Sequence, residues 1–320
     1  MDGSSSPRGQ IDFIASRPHY ADHLVPVWWA LPEEVRGVFY APSNLHEYLG
    51  RYRILAKLGY DPGSVLVAAG FRDIRGTRHR HTALMEHGVG QTYGNPSPSY
   101  ADGEGRTKAT LILAPNERVA SFAPKKSVVI GTPFMDEFFL RPPTRRLEDP
   151  VAFAFHWRCS VENEAGTAFD EYKSAVEDVA FSGLKIVGHG HPKMMKELTP
   201  FYRDRDIPVW QHFSHVMQRA RLLVCDNSSV IYYFAALGKP VILLNASWWR
   251  RDVEWGLRFW DQADVGLQVD QPSDLLHVIL RGLEDNHDVR SRREEISREV
   301  VPIQDGTATR RAVEAILGLL

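Results

Sequence analysis

Cysteine is nearly absent: Cys159 and Cys225 are the two in a chain of 320 residues. Two unpatterned cysteines exclude a disulfide scaffold and a cysteine-built zinc site. Cys225 lies inside an apolar run and reads as a buried reduced thiol. An excess of one charge is lacking too. Lys and Arg total 38 against 40 Asp and Glu, a formal net charge of −2. There is therefore no global basic field to mark a dedicated nucleic-acid binder, and only a local basic patch stays open. Long apolar runs are missing, since none approaches the ~20 residues of a membrane span. The opening "MDGSSSPRGQ" has no apolar core of the signal-peptide kind and reads as a flexible leader, residues 1–10. A cytoplasmic protein is expected. Low complexity is confined to the leader, and no internal repeat is found.

What is there suits a globular chain: 43% hydrophobic and 24% charged residues, with enough length for two domains. The spacing of Leu45, Tyr48, Leu49, Tyr52 and Leu55 in "SNLHEYLGRYRILAKLG" predicts a helix that starts on a Ser cap and closes on Gly59. "SVLVAAG", "TALMEHG", "KATLILAP" and "SVVIGTP" are short apolar runs ending near Gly or Pro. Such runs fit strands buried on both faces of a parallel sheet. Arg141–Pro150 is mixed in charge and bounded by prolines, which suits a linker. Beyond it "VAFAFHW", "LKIVGHGHP", "LLVCD" and "PVILLN" read as strands. "TAFDEYKSAVEDVAF", "SHVMQRA" and "SVIYYFAALG" read as helices, and the chain is mostly helical from Ser273. Two β/α sets predict an α/β protein of two Rossmann-like domains facing a central cleft.

Open α/β sheets deliver functional residues at the carboxyl ends of their strands. Three such ends stand out. In "LMEHGVGQTYGN", His87 follows a strand and Gly88, Gly90 and Gly94 loosen the loop. A His there is either a general base or a surface residue beside a turn. In "GHGHP", His189 and His191 are two apart, so an extended chain points them to one side. Without a nearby ligand set the pair is not expected to bind metal, and one imidazole can donate to a phosphate. In "LLVCDNSSVIYYFAALGKPVILLN", Asp226 ends a strand while Ser228 and Ser229 open a helix that Gly238 stops. That junction either caps the helix or seats an anion.

In order, these segments resemble the CDP-glycerol glycerophosphotransferases of teichoic-acid synthesis. That family carries an HG, a G-x-P-x-x-D, an HP, a D-x-S-S-V-I with a following K-P, and a D-G-x-A-x-x-R. Here they are His87-Gly88; Gly131-Thr132-Pro133-Phe134-Met135-Asp136; His191-Pro192; Asp226 to Ile231 with Lys239-Pro240; and Asp305 to Arg310. The resemblance spans roughly Leu84 to Arg310 and implies a GT-B architecture. Residues 11–141 would form an acceptor-side domain and 151–305 a donor-binding domain, with a 142–150 linker and a closing helix over 306–320. It also implies that His87 is the general base on an acceptor hydroxyl. His191, Ser228, Ser229 and Asp226 would serve the donor pyrophosphate. Gly88, Gly90, Pro133, Asp136, His189, Tyr233 and Lys239 would lie near donor or acceptor. No cofactor or metal is implied, and Asp204-Arg205-Asp206 reads as a solvated turn rather than a metal-binding D-x-D.

The chain departs from the family pattern in three places. No Lys follows the HG in "VGQTY", Phe134 replaces an Arg, and Tyr233 replaces an acid. Lost cations tilt the expectation towards a glycosyl donor over a glycerophosphoryl one. Two other classes share the fold: a nucleotide-sugar epimerase, which would need further carboxylates, and a non-catalytic nucleotide-binding protein. "SWWRRDVEWGLRFW" (Ser247–Trp260) lies outside the motifs. It reads as core packing, as an aromatic acceptor platform beside Arg, or as a peripheral membrane contact. "RGTRHRH", Arg75–His81, reads as a charged surface loop, and with that aromatic segment gives the one hint of a nucleic-acid acceptor. Small-molecule, polymer and nucleic-acid acceptors all remain open.

Overall fold

Apolar runs of four or five residues cannot shield both faces alone, so parallel strands collect under flanking helices. The computed structural model describes residues 9–57, 63–89, 100, 105–159, 165–249 and 264–320. They divide into two units. The first gathers the described residues of Met1–Val89, Pro96–Leu140 and Ile303–Leu320, the second those of Arg141–Pro302.

The first unit runs β1 (Ile11–Ile14), α1 (Pro18–Ala30), β2 (Arg36–Tyr40), α2 (His46–Gly50), β3 (Ala56–Lys57), β4 (Val65–Ala68) and β5 (His81–Met85). It continues with β6 (Leu111–Ala114), α3 (Glu117–Ala120), β7 (Ser127–Val129) and α4 (Asp136–Leu140). The sheet order is β3-β2-β1-β4-β5-β6-β7, with every pairing parallel. Reversal of strand order beside β1 is the doubly wound arrangement whose ligand sites lie past the strand ends.

The helix predicted from Ser43 to Gly59 is corrected. A 3-10 turn over Ser43–Leu45 leads into α2, which stops at Gly50, and Arg53 adopts a left-handed φ of 59°. Leu45 and Leu49 are buried, but Leu55 is 93% exposed because the chain has already turned into β3. Backbone pairing of Ala56 and Lys57 with Phe39 and Tyr40 replaces helix propagation, which is weakly favoured over so short a span. Gly59 lies outside the described residues. The basic run is also corrected at His79. Its Nε2 lies 2.8 Å from Asp12 Oδ2, and both side chains are buried. Asp12 further accepts from Val38 N and Gly63 N, tying β1 to the middle of β2 and to the chain entering β4.

The second unit runs β8 (Val151–Phe155), α5 (Phe169–Phe181), β9 (Ile186–Gly190), α6 (Met195–Arg203), α7 (Phe213–Arg219) and β10 (Leu222–Cys225). It closes with α8 (Val230–Ala236), β11 (Val241–Leu244), β12 (Leu267–Val269), α9 (Leu275–Glu284) and α10 (His287–Val300). Its parallel sheet has the order β12-β11-β10-β8-β9. β10 is the central strand, which explains why "LLVC" is wholly apolar and buried. Gly188 lets Tyr202 of α6 lie flat on β9, where a Cβ would collide with the ring.

From Ile303 the chain returns to the first unit and ends in α11 (Ala308–Leu317), whose Ala312, Val313 and Ile316 join that unit's core. Two sequence motifs meet there. Asp136 accepts from Ala308 N at 3.1 Å and Thr309 N at 2.6 Å, capping α11. Gly131, at φ +85°, brings its backbone against Ile303 and Ala308, where any side chain would clash. The boundary drawn from sequence at residue 305 thus falls inside a segment that begins its return at 303.

Candidate functional site

In the first unit, His87 is the second residue after β5. A carbonyl can only accept, so the 2.9 Å contact from His87 Nδ1 to Ala69 O makes Nδ1 the protonated nitrogen. The lone pair of the neutral ring is therefore on Nε2. Burial holds its pKa below the ordinary 6.5, with the Glu86 charge working the other way. α1 packs His19, Tyr20 and His23 around the imidazole, at ring separations of 5.7, 4.8 and 6.1 Å. The adjacent acid is occupied elsewhere. Glu86 accepts from Tyr100 Oη at 2.9 Å and pairs with Arg106 Nε at 2.6 Å. Gly88 follows in a half-buried turn, and Gly90 and Gly94 lie outside the described residues. Pro133 and Asp136, read as neighbours of the substrate, are buried. Asp136 serves as the cap on α11, while Phe134 packs its ring 5.4 Å from His23.

In the second unit, the strand order makes the carboxyl ends of β10, β8 and β9 consecutive neighbours. Asp226 is fully buried and accepts four hydrogen bonds: from His156 N, Asn227 N, Thr167 Oγ1 and Ala168 N, all within 2.9 Å. A carboxylate so engaged anchors β10 to β8 and to the start of α5. It frames the Ser228-Ser229 turn, with both oxygens taken up by these four donors. Ser228 Oγ accepts from Val230 N at 3.3 Å, and Ser229 stands at the α8 N-cap position without a side-chain capping bond. Both serines are half-buried.

His189 and His191 do not share a face. His189 is buried, donates from Nδ1 to Trp210 O at 2.7 Å and packs on Phe213. Burial pushes its pKa down to about 4. β9 ends at Gly190, and the backbone turns as His191 N donates to Phe155 O and Met194 N to His191 O. His191 therefore leaves the strand's alternation and stacks near His156 and Trp157, at 5.3 and 6.1 Å. Its Nδ1 accepts from Lys193 N at 3.2 Å, which puts the ring proton on Nε2. His87 and His191 thus carry opposite tautomers: a lone pair on one Nε2, a proton on the other.

Lys239, read as lying near donor or acceptor, is engaged by the backbone. It is buried, and its Nζ donates to Met217 O, Ala220 O and Gln218 O at 2.5, 2.8 and 3.5 Å, closing the carboxyl end of α7. Burial lowers its pKa to about 8. Tyr233 is 2% exposed within α8. Sequence reasoning passed over His156 and Trp157, although "VAFAFHW" ends a strand in two chemically equipped residues. His156 donates from Nδ1 to Ala165 O at 2.8 Å, and burial lowers its pKa. Of the aromatic segment, Trp249 is buried in the second unit's core and Trp248 is 46% exposed. Residues 250–260 lie outside the described residues. Among the described residues no group of three or more His, Cys, Asp and Glu is arranged to hold a metal ion. No helix among them is long and apolar enough to cross a membrane.

A family model described as CDP-Glycerol:Poly(glycerophosphate) glycerophosphotransferase matches residues 143–318. The match takes in His191, Ser228, Ser229 and α11, and begins beyond His87. No curated protein sequence matches the chain. Among solved structures, a UDP co-structure of S. aureus MnaA has a TM-score of 0.66 at 14% identity, covering 98% of each chain. The UDP-GlcNAc 2-epimerase of Neisseria meningitidis bound to UDP-GlcNAc scores 0.65 at 14% identity, over 96% of this chain and 99% of that one. A variant of the wall teichoic acid polymerase TagF scores 0.65 at 12% identity, over 97% of this chain and 88% of that one. At these identities the likeness is one of fold: two parallel-sheet α/β units of the GT-B kind.

Proposed function

The chain belongs to the CDP-Glycerol:Poly(glycerophosphate) glycerophosphotransferase family and is a transferase, and from that premise we propose how its residues divide the work. The second unit binds a nucleotide-activated donor past the ends of β10, β8 and β9. The first unit activates an acceptor hydroxyl through His87. One observation carries this reading: the opposite tautomers of His87 and His191. A ring with its lone pair on Nε2 can take a proton, and a ring with Nε2–H can donate to a phosphate oxygen.

In the proposed step, the acceptor hydroxyl gives its proton to His87 Nε2 as its oxygen attacks the donor. With a nucleotide sugar, attack at the anomeric carbon breaks the bond to the diphosphate, and a nucleoside diphosphate leaves. With CDP-glycerol, attack at the β-phosphorus expels CMP. Leaving-group charge is met by His191 Nε2–H, the Ser228 and Ser229 hydroxyls and the backbone N–H groups at the start of α8, without a metal. Two structural neighbours are recorded with UDP or UDP-GlcNAc, which supports a nucleotide-activated donor. The missing cations after the HG and at Phe134 favour a sugar donor. A cytoplasmic site of action goes with such a donor. An epimerase shares the fold but needs acid groups where this chain buries Tyr233.

The test is a transfer assay run in EDTA, with the released nucleotide identified by chromatography. Wild-type enzyme should retain activity, and His87→Ala should lose roughly 100- to 10,000-fold while its affinity for the nucleotide stays unchanged. Full activity in His87→Ala would remove it as the base, and collapse of wild-type activity in EDTA would point to a metal.

A further inference from the structure

The family motifs supply no cation on the donor side, because Lys239, the Lys of K-P, is committed to the end of α7. A diphosphate held by an imidazole, two hydroxyls and backbone N–H groups meets only neutral donors, and its formal charge stays unbalanced. The end of β8, between the two predicted pyrophosphate segments, supplies what is missing. Trp157 leaves β8 half-buried, and Lys193 Nζ rests 3.5 Å from the centroid of its ring. The same Lys193 donates its backbone N–H to His191 Nδ1, so one turn of chain fixes both the ammonium and the Nε2–H. The Lys193 charge also reaches His156, whose pKa burial lowers against the opposing Asp226 charge and Ala165 hydrogen bond, the ammonium adding to the lowering.

We propose that Lys193 is a direct cationic contact to the donor's diphosphate, and that Trp157 is the positioning residue that holds the ammonium beside His191. This rests on the donor-binding reading given above and adds a selectivity: nucleoside diphosphates over monophosphates with the same base. A long flexible ammonium side chain is not pre-organised by itself. A ring face beneath it restricts where the charge can go.

Calorimetric titration of the full chain with a nucleoside and its mono- and diphosphate forms tests this, using the base that wild type binds best. Lys193→Met should weaken diphosphate binding about tenfold and leave the nucleoside unchanged, collapsing the preference for diphosphate. Lys193→Arg should keep that preference, and Trp157→Leu should lose it with the ammonium still present. An unchanged diphosphate to monophosphate ratio in Lys193→Met overturns the proposal while leaving the donor reading intact. Equal loss for nucleoside and diphosphate makes the pair merely structural and overturns it too. Absence of nucleoside diphosphate binding by wild type overturns the donor reading first, and this inference with it.

Discussion

Four histidines at strand ends fall into two tautomers, and one hydrogen bond decides each. His87, His156 and His189 donate from Nδ1 to carbonyls, whereas His191 accepts at Nδ1. The sequence shows that a His follows a strand but not which nitrogen meets a backbone group. For the same reason the sequence did not show that Asp226, Asp136 and Lys239, read as site residues, satisfy backbone groups of other elements. His156 and Trp157 went unread because an apolar run ending in aromatics looks like more core. His189 yields a prediction at this scale. Its ordinary pKa is 6.5 and its folded value about 4, so between those values the unfolded chain binds more protons than the folded one. Stability should therefore fall as pH drops from about 6.5 to about 4. Chemical denaturation across that window should show a shallower pH dependence for His189→Gln, and an identical slope would contradict the assignment.

Among the elements, the interior strands were legible: β4, β6, β8, β10 and β11 are all apolar runs flanked by turn residues, as strands buried on both faces require. β1 was not, because Asp12 breaks its apolar run, and only His79 from a distant loop explains a buried acid there. α1 was obscured by Pro18 and Pro26 and by two histidines, His19 and His23, in a short span. α2 was over-extended, since helical spacing continued past the point where β-pairing took over. Lys239 tests the link between element and site. Lys239→Met leaves the carbonyls ending α7 without their donor, and should cost about 1–3 kcal/mol of stability. Nucleotide affinity should not change. Thermal unfolding and titration together check this, and weakened nucleotide binding at full stability would mean that Lys239 reaches the ligand.

For the whole molecule, two all-parallel units emerged from composition and periodicity alone, but the course of the chain between them did not. The return of Ile303–Leu320 to the first unit depends on Gly131 and Asp136, whose partners lie more than 170 residues away. The family match covers the second unit and α11, so the donor side of the account rests on shared family residues and the base rests on His87's own geometry. Everything proposed depends on one property of the intact chain, that it binds an activated nucleotide. The direct measurement is thermal unfolding of the full-length protein with CDP-glycerol and with UDP-, GDP- and dTDP-sugars, since a ligand that binds the folded state raises the midpoint by mass action. The account predicts a concentration-dependent rise with at least one donor, reduced in Ser228→Ala/Ser229→Ala. No rise with any of them, at millimolar concentration, would contradict it.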